Sequence, residues 1–183
     1  MNNINVAVIG IDHRHIFGQL QRMLSTGCTC KGWWTEGQPD LCEDFIKRFP
    51  DIPRVENREE LLRDPDIHLI LIADVPAKRA ERAIEAMQSA KDVMTDKPGC
   101  TTLDQLNAIK NVVAETERIW SIDFSERFEV PAVTRAAKLV KEGAIGTVVQ
   151  TVGLGPHRLN RHTRPDWFFE EHQYGGILCD PAV

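Results

Sequence analysis

The sequence predicts an α/β protein with a doubly wound parallel sheet, followed by the start of a second α/β (α+β) domain. Short apolar runs typical of buried parallel strands alternate with longer segments whose apolar residues recur every three or four positions. Strands and helices that alternate in this way form βαβ units, and successive units build a parallel sheet. The alternation stops after residue 124. We therefore predict a first domain over residues 1–122 and the beginning of a second, incomplete one over residues 123–183.

The elements of the first domain follow from these runs in chain order. Asn57 and Glu60 have the spacing of a capping box, which places a short helix before the third strand. The predicted strands cover residues 5–10, 29–35, 68–73, 92–95 and 118–124. The predicted helices cover residues 19–24, 41–49, 57–62, 77–90 and 103–117.

Four further segments are predicted beyond residue 124. A helix over about 130–142 ends at Gly143, because glycine favours the turn that follows a helix. Residues 146–152 are apolar and β-branched enough to predict a new strand. Residues 153–176 are rich in His, Arg, Pro and Trp and predict a long loop, a kind of segment that often carries function. Residues 175–183 have the pattern of a helix that is just beginning.

Composition excludes several classes of function. The net charge is −5, with 22 basic side chains interspersed among 27 acidic ones, so no nucleic-acid surface is expected. The sequence shows neither a signal peptide nor an apolar run of transmembrane length, which predicts a cytoplasmic protein without a membrane partner. Cys28 and Cys30 alternate as strand residues do, and their spacing does not match a zinc pattern, so no metal site is predicted.

The turn after the first strand is comparable with the G-x-G-x-x-G pattern that holds a dinucleotide. Gly10 supplies the first glycine, whereas Asp12 and His15 occupy the second and third positions. An Asp side chain would repel a pyrophosphate, although the helix that follows still offers N–H groups to an anion. We favour Asp12 as the cap of that helix over a ligand contact. His13 or His15 could donate to a phosphate or to a substrate.

Two further residues lie where the strands of such a sheet end, which is where ligands bind. Glu36 follows the second strand, where a carboxylate accepts hydrogen bonds from the ribose hydroxyls of the cofactor and repels a 2′-phosphate. Gly37 supplies no compensating arginine, so NAD is favoured over NADP; the alternative is that Glu36 is a solvated turn residue. Lys97 follows the fourth strand and is a candidate catalytic lysine, with a solvated surface charge as its alternative.

Several short motifs, in order, resemble the glucose-fructose oxidoreductase/inositol dehydrogenase family of NAD(P)-dependent enzymes. Asp96-Lys97-Pro98 is similar to the family's acid-Lys-Pro motif, with Asp in place of the commoner Glu. The other similar stretches are residues 59–67, 143–146, 164–168 and 175–180. The resemblance implies a Rossmann domain followed by an α/β domain with a large open sheet, which often mediates assembly, so a homo-oligomer is expected at full length.

The resemblance also implies roles for individual residues. Lys97 acts at the reacting carbon and contacts the cofactor, and Asp180 orients a histidine that would fall one position beyond Val183. The chain by itself is therefore expected to be inactive. A Pro-containing turn, Asp74 to Pro76, would lie under the nicotinamide, and Arg79 stands where the family has a histidine; alternatively, Pro76 simply opens a helix. Candidate substrate contacts are His157, Arg164 and Trp167, with Arg158, Arg161 and His162 beside them, although each could belong to a solvated basic loop.

The resemblance implies a reaction as well. The expected activity is hydride transfer between NAD and a secondary alcohol of a small sugar, cyclitol or related polyol. The alternative is a non-catalytic dinucleotide-binding or regulatory module, which the altered glycine pattern favours.

Overall fold

Five parallel strands form one sheet in the order β2-β1-β3-β4-β5 in the computed structural model, which describes residues 4–154, 158–177 and 179. All four strand pairs are parallel. This confirms the predicted doubly wound α/β fold. The strands are β1 (Asn5–Ile9), β2 (Thr29–Trp34), β3 (Leu69–Ile72), β4 (Asp92–Asp96) and β5 (Trp120–Asp123).

The crossover helices lie where the three- and four-residue spacing predicted them. Asn57 and Glu60 form the predicted capping box. One local prediction is wrong: the first helix begins at His15, and Asp12 does not cap it, since the residue at its N-cap is Arg14, whose side chain makes no capping bond. The helices are α1 (His15–Ser25), α2 (Cys42–Arg48), α3 (Arg58–Arg63), α4 (Pro76–Gln88) and α5 (Leu103–Thr116).

The sheet is buried on both faces. Alternate residues of β1 point to opposite sides, so that Val6 and Val8 pack with Ile16 and Phe45 of α1 and α2. Ala7 and Ile9 belong to the other cluster, with residues of α3, α4 and α5. Burial of both faces explains why the strands are continuous apolar runs rather than alternating ones.

The order of the strands reverses between β1 and β3. The chain moves from β1 outward to β2 and then returns to the opposite side of β1, where it forms β3. The crevice at the carboxyl ends of these two strands is the usual ligand site of an open α/β sheet. The Gly10–Ala73 and His13–Ala73 backbone hydrogen bonds, 3.2 and 2.9 Å long, hold the turn after β1 against the end of β3.

Contacts divide the chain into two compact units. The first combines the sheet with residues 165 onward, and the second covers Phe124–Arg164. The boundary predicted between residues 122 and 123 concerns independently folding domains and stays a prediction.

The second unit contains the helix predicted near residue 130, which runs from Pro131 to Lys141 as α7, preceded by the short α6 (Ser125–Phe128). The strand predicted over 146–152 is wrong, since these residues have no strand pairing. Val149 is 93% exposed, and no strand in the described part of the chain pairs with this segment.

The segment predicted as one long loop contains local structure. Residues 161–163 and Asp166–Phe169 form 3₁₀ turns, and Glu171–Tyr174 forms the short helix α8. The Phe168 and Tyr174 rings lie 4.2 Å apart, which gives this segment a small apolar contact of its own. The helix predicted from residue 175 falls largely outside the described residues, and 175–177 are not helical.

Among the described residues, no helix is both long enough and apolar enough to span a membrane.

Gly10 allows the turn after β1 to approach β3. It has a φ of +78°, and a Cβ added there would lie 2.7 Å from the Asp74 Cα. Gly37 has a similar φ of +63° with nothing within 4 Å of an added Cβ. We expect Gly37→Ala to cost about 1–2 kcal/mol of unfolding free energy through backbone strain alone.

Gly10→Ala should cost at least about 2 kcal/mol more than this control, because it adds a collision with backbone. Urea denaturation of both variants measures the difference. Equal losses would mean that the contact with Asp74 does not constrain the turn.

Candidate active site

A buried carboxylate, that of Asp96, stands at the centre of the site. Asp96 ends β4 and is completely buried. The Nδ1 atom of His15 lies 2.9 Å from its Oδ1 with hydrogen-bond geometry. The Nδ1 atom of His13 lies 2.7 Å from its Oδ2, and the Arg79 guanidinium lies 3.2 Å from the same oxygen. Burial alone would favour the neutral acid, but Arg79 and the two histidines hold the pKa of Asp96 well below its ordinary value.

Arg79 fixes the backbone on either side of Lys97. Its side chain is fully buried and donates from one nitrogen to the Asp96 carbonyl at 3.0 Å and to the Pro98 carbonyl at 3.1 Å. Its Nε donates to the Asp74 carbonyl at 2.7 Å. One guanidinium therefore joins the ends of β3 and β4 and sets the path of the Asp96-Lys97-Pro98 turn. Lys97 itself is 7% exposed, and the peptide bond between it and Pro98 is cis.

His15, at the third-glycine position, is the first residue of α1. Its ring meets Asp96 and lies edge-on to the His13 ring, with the ring centroids 4.3 Å apart. One turn later, Gln19 donates to the Met94 carbonyl at 3.1 Å. The N-terminal half of α1 is thus bound through polar contacts to β4.

The environment of Asp12 reduces its expected repulsion of a phosphate. Burial and the neighbouring carboxylate of Asp74 raise the pKa of Asp12 to about 7, against the opposing effect of Lys78 and Arg79. A fraction of Asp12 is therefore uncharged at neutral pH. An aspartic acid at the second-glycine position can be neutral when the dinucleotide is bound.

Glu36 is not alone at the end of β2. Its side chain, 56% exposed, accepts hydrogen bonds from Lys78 at 2.7 Å and from Arg82 at 3.2 Å. The hydrogen bond from Lys78 lowers the pKa of Glu36, and Arg82 acts in the same direction. The guanidinium of Arg82 also lies 5.5 Å from the centroid of the Trp34 ring. Gly37 supplies no cation beside Glu36, but α4 supplies two, Lys78 and Arg82.

Asp74 and Pro76 lie at the end of β3, beside the turn after β1. The Asp74 carboxylate is buried and accepts hydrogen bonds from the Val75 amide at 2.7 Å and from Arg82 at 3.2 Å. Pro76 is the first residue of α4, which agrees with the alternative that Pro76 simply begins a helix. Roles for both in cofactor binding stay predictions.

The remaining candidates are divided between the two units. Trp167 belongs to the unit of the sheet, and its ring centroid lies 6.3 Å from that of His13. Arg164 belongs to the second unit, where it donates to the carbonyls of Leu159 and Arg158 at 2.9 and 3.4 Å. His157 and Asp180 lie outside the described residues, so their predicted roles stay predictions.

Sequence reasoning missed Lys78 and Arg82 as members of the site, and it noted Arg79 only as the residue at the family's histidine position, without its ion pair with Asp96. A signal was present in α4, since Arg79 falls on the helical stripe that includes Ala83 and Ala86. An arginine on a stripe that faces the core requires a buried anion. That reasoning identifies Arg79 as half of an ion pair without identifying its partner.

The family follows from a comparison with known proteins. Residues 4–124 match a family model described as an oxidoreductase family with an NAD-binding Rossmann fold. The chain belongs to this oxidoreductase family. The site described above therefore lies on an NAD-binding Rossmann sheet, at its expected edge.

Individual members of the family are similar over most of this chain. Levoglucosan dehydrogenase of Pseudarthrobacter phenanthrenivorans is 30% identical over 151 residues, which are 81% of this chain and 38% of that protein. A scyllo-inositol 2-dehydrogenase (NADP(+)) of Bacillus subtilis is 25% identical over 138 residues, 75% of this chain and 38% of that protein.

Solved structures of the family give the same result. A proposed oxidoreductase of Erwinia carotovora atroseptica aligns with a TM-score of 0.94 and 41% identity over 98% of this chain and 54% of its own. A levoglucosan dehydrogenase in complex with NADH aligns with a TM-score of 0.77 and 26% identity, covering 99% of this chain and 51% of that one. The chain thus spans about half the length of these structures, and less of the curated relatives.

The raised pKa of Asp12 predicts that the affinity for NADH depends on pH. If a neutral Asp12 faces the pyrophosphate, binding should weaken as the pH rises through about 7, because a carboxylate then forms beside the phosphates. Between pH 6 and pH 8 the loss should reach up to about tenfold in Kd, the limit for one group with a pKa near 7.

Fluorescence titration with NADH at pH 6, 7 and 8 measures this dependence. Asp12→Asn should remove it, whereas the exposed control Asp40→Asn should keep it. A wild-type Kd that is constant over this range would place Asp12 away from the pyrophosphate.

Proposed function

We propose that this chain serves an oxidoreductase that transfers a hydride between NAD and a secondary alcohol of a sugar, cyclitol or related polyol. One observation carries the proposal: Lys97, of the Asp96-Lys97-Pro98 turn, lies at the carboxyl edge of the sheet on a backbone that Arg79 fixes on both sides. The two relatives named for a sugar derivative and an inositol support the substrate class.

The residues at the strand ends fit a dinucleotide. Gly10 allows the close turn between β1 and β3, and α1 presents its amide groups at that turn. Glu36 follows β2, where the adenosine ribose of a dinucleotide lies in this fold. When bound, the nicotinamide accepts or gives the hydride. The protein has to hold the alcohol beside it and handle the hydroxyl proton.

Lys97 is the candidate for a hydrogen bond to the reacting oxygen of the substrate. Its ammonium group offers three hydrogen-bond donors and no acceptor, which suits an oxygen that gains negative charge as its carbon is oxidised. Arg79 acts through the backbone and is a positioning residue. Arg79 binds the backbone carbonyls of both neighbours of Lys97, so the backbone that carries the lysine is fixed. Catalytic groups require this kind of support.

A second candidate function is a dinucleotide-binding module without catalysis. The observation that favours it is the replacement of two glycines by Asp12 and His15. The two functions differ in one assay, since both predict NADH binding and only the enzyme predicts NAD reduction by a polyol. A panel that includes levoglucosan and scyllo-inositol, tested with the full-length protein and followed at 340 nm, separates them; the chain by itself is expected to be inactive under either function.

The cationic surroundings of Glu36 predict how the cofactor preference can be changed. In Glu36→Gln the carboxylate that repels a 2′-phosphate is absent, Lys78 loses the carboxylate that it binds, and Arg82 loses one of its carboxylate partners while keeping Asp74. We expect the ratio of NADPH to NADH affinity to rise by about tenfold or more, equivalent to ~1.4 kcal/mol.

A second substitution in the same protein supplies the control. Lys78→Met in the Glu36→Gln background should reverse most of the gain, because one of the two cations is then missing. Titration of each variant with NADH and NADPH gives the ratios. A ratio that Glu36→Gln leaves unchanged would identify Glu36 as a surface residue with no cofactor contact.

The role of Lys97 is tested by Lys97→Met in the full-length enzyme. This variant keeps the approximate length of the side chain and removes its charge and donors. If Lys97 acts mainly in the transition state, kcat and kcat/KM should fall together by about 10²-fold or more, while the affinity for NADH changes little. Lys110→Met, at an exposed position of α5, is the matched control. A folded Lys97→Met enzyme with near-normal kcat would remove Lys97 from the mechanism.

A further inference from the structure

The two histidines after β1 share one carboxylate, and this sets which ring nitrogens carry protons. Both His13 and His15 place Nδ1 close to Asp96, at 2.7 and 2.9 Å. The His15 contact has hydrogen-bond geometry, whereas the His13 contact is close without being aligned as a hydrogen bond, so for His13 the distance alone carries the argument. An ionised carboxylate only accepts hydrogen bonds, and an Nδ1 lone pair this close to it would be repelled. Each Nδ1 therefore carries a hydrogen, and in a neutral ring the Nε2 atom on the opposite edge carries a lone pair.

His13 is the more enclosed of the two rings and is kept neutral. Its side chain is 15% exposed, against 35% for His15. Burial lowers the pKa of His13, and this effect exceeds the opposing attraction of Asp96. A neutral His13 with its hydrogen on Nδ1 offers an acceptor at Nε2. An acceptor repels a phosphate oxygen and attracts a hydroxyl hydrogen, which favours the substrate over the phosphate as the partner of His13.

The neighbours of His13 are of the kinds that bind a polyol. They include Asp96, the residue directly before Lys97, and the ring of Trp167, 6.3 Å away between centroids. Aromatic rings commonly line sugar sites because they cover the apolar C–H face while polar groups bind the hydroxyls. Lys97 offers only donors and His13 offers an acceptor, so the two together match both hydrogen-bonding functions of an alcohol.

We propose that Nε2 of His13 accepts a hydrogen bond from a substrate hydroxyl, with Asp96 as the positioning residue that holds the ring. The proposal deepens the proposed function and rests on it for the identity of the substrate as a polyol. It assigns His13 to substrate recognition rather than to the pyrophosphate. The competing arrangement is a metal ion held by the same three side chains, whose ligand atoms lie within 4.8 Å of one another. The Arg79 cation beside Asp96 disfavours a second cation there.

The first experiment reads the tautomer without any turnover. Long-range ¹H–¹⁵N spectra of the imidazoles at pH 7.5, assigned with His13→Gln and His15→Gln, should show His13 with its hydrogen on Nδ1. Titration with Zn²⁺ should leave these signals unchanged at stoichiometric concentrations. A hydrogen on Nε2 of His13, or stoichiometric Zn²⁺ binding that either substitution abolishes, would overturn the proposal.

The second experiment measures recognition in the full-length enzyme with the best polyol of the panel. His13→Phe keeps a ring and removes the acceptor, so KM should rise by about tenfold with a smaller change in kcat, while the NADH Kd stays the same. His13→Gln, which retains an acceptor, should recover part of the loss, and His15→Phe should change KM less than His13→Phe does.

The outcomes separate this proposal from the proposed function. Loss of NADH affinity in His13→Phe with KM unchanged would place His13 at the cofactor and overturn the proposal, while the enzyme assignment stands. If no polyol is oxidised, the proposed function fails; the inference that His13 recognises a substrate hydroxyl then fails with it, even where the spectra show the expected tautomer.

Discussion

A buried negative charge has to be neutralised, and the neutralisation of Asp96 determines the arrangement of this site. Its carboxylate receives Arg79 from α4 and His13 and His15 from the turn after β1, so three separate segments meet at the end of β4. Removal of one partner from a buried pair leaves an uncompensated charge, at a cost of about 3–5 kcal/mol. His15, at a glycine position of the pattern, and Arg79, at its histidine position, therefore share Asp96 as a common partner.

Most of the fold was predictable, because it depends on local patterns. Apolar runs located all five strands, the three- and four-residue spacing located α1, α2, α4 and α5, and a capping box located α3, whereas the short α6 and α8 were not predicted. The strand predicted over 146–152 failed since β-branched residues become a strand only beside a partner. The prediction that Asp12 caps α1 failed for a related reason: Asp12 lies in the turn among Asp74, Lys78 and Arg79, which the sequence does not place beside it.

Only the residues of the site that directly follow a strand were predictable from the sequence. Glu36 and Lys97 were found because each follows a strand, and the topology brings strand ends together. Their supporting contacts join residues far apart in the chain: Lys78 and Arg82 with Glu36, and Arg79 with Asp96. In the sequence, such a pair is visible only as an unexplained charge on the apolar stripe of a helix. That charge indicates that the arginine has a buried anionic partner, but it does not identify the partner.

The measurement that tests the account most directly is a double-mutant cycle between Asp96 and Arg79. The unfolding free energies of Asp96→Asn, Arg79→Met and the double variant are compared with wild type by urea denaturation. The lost contacts of Arg79 with carbonyls, and of Asp96 with the histidines, cancel within the cycle. We expect each single variant to lose about 3–5 kcal/mol and the double variant far less than their sum, with a coupling of about 3 kcal/mol. Losses that add within about 0.5 kcal/mol would show that the pair does not hold the site together.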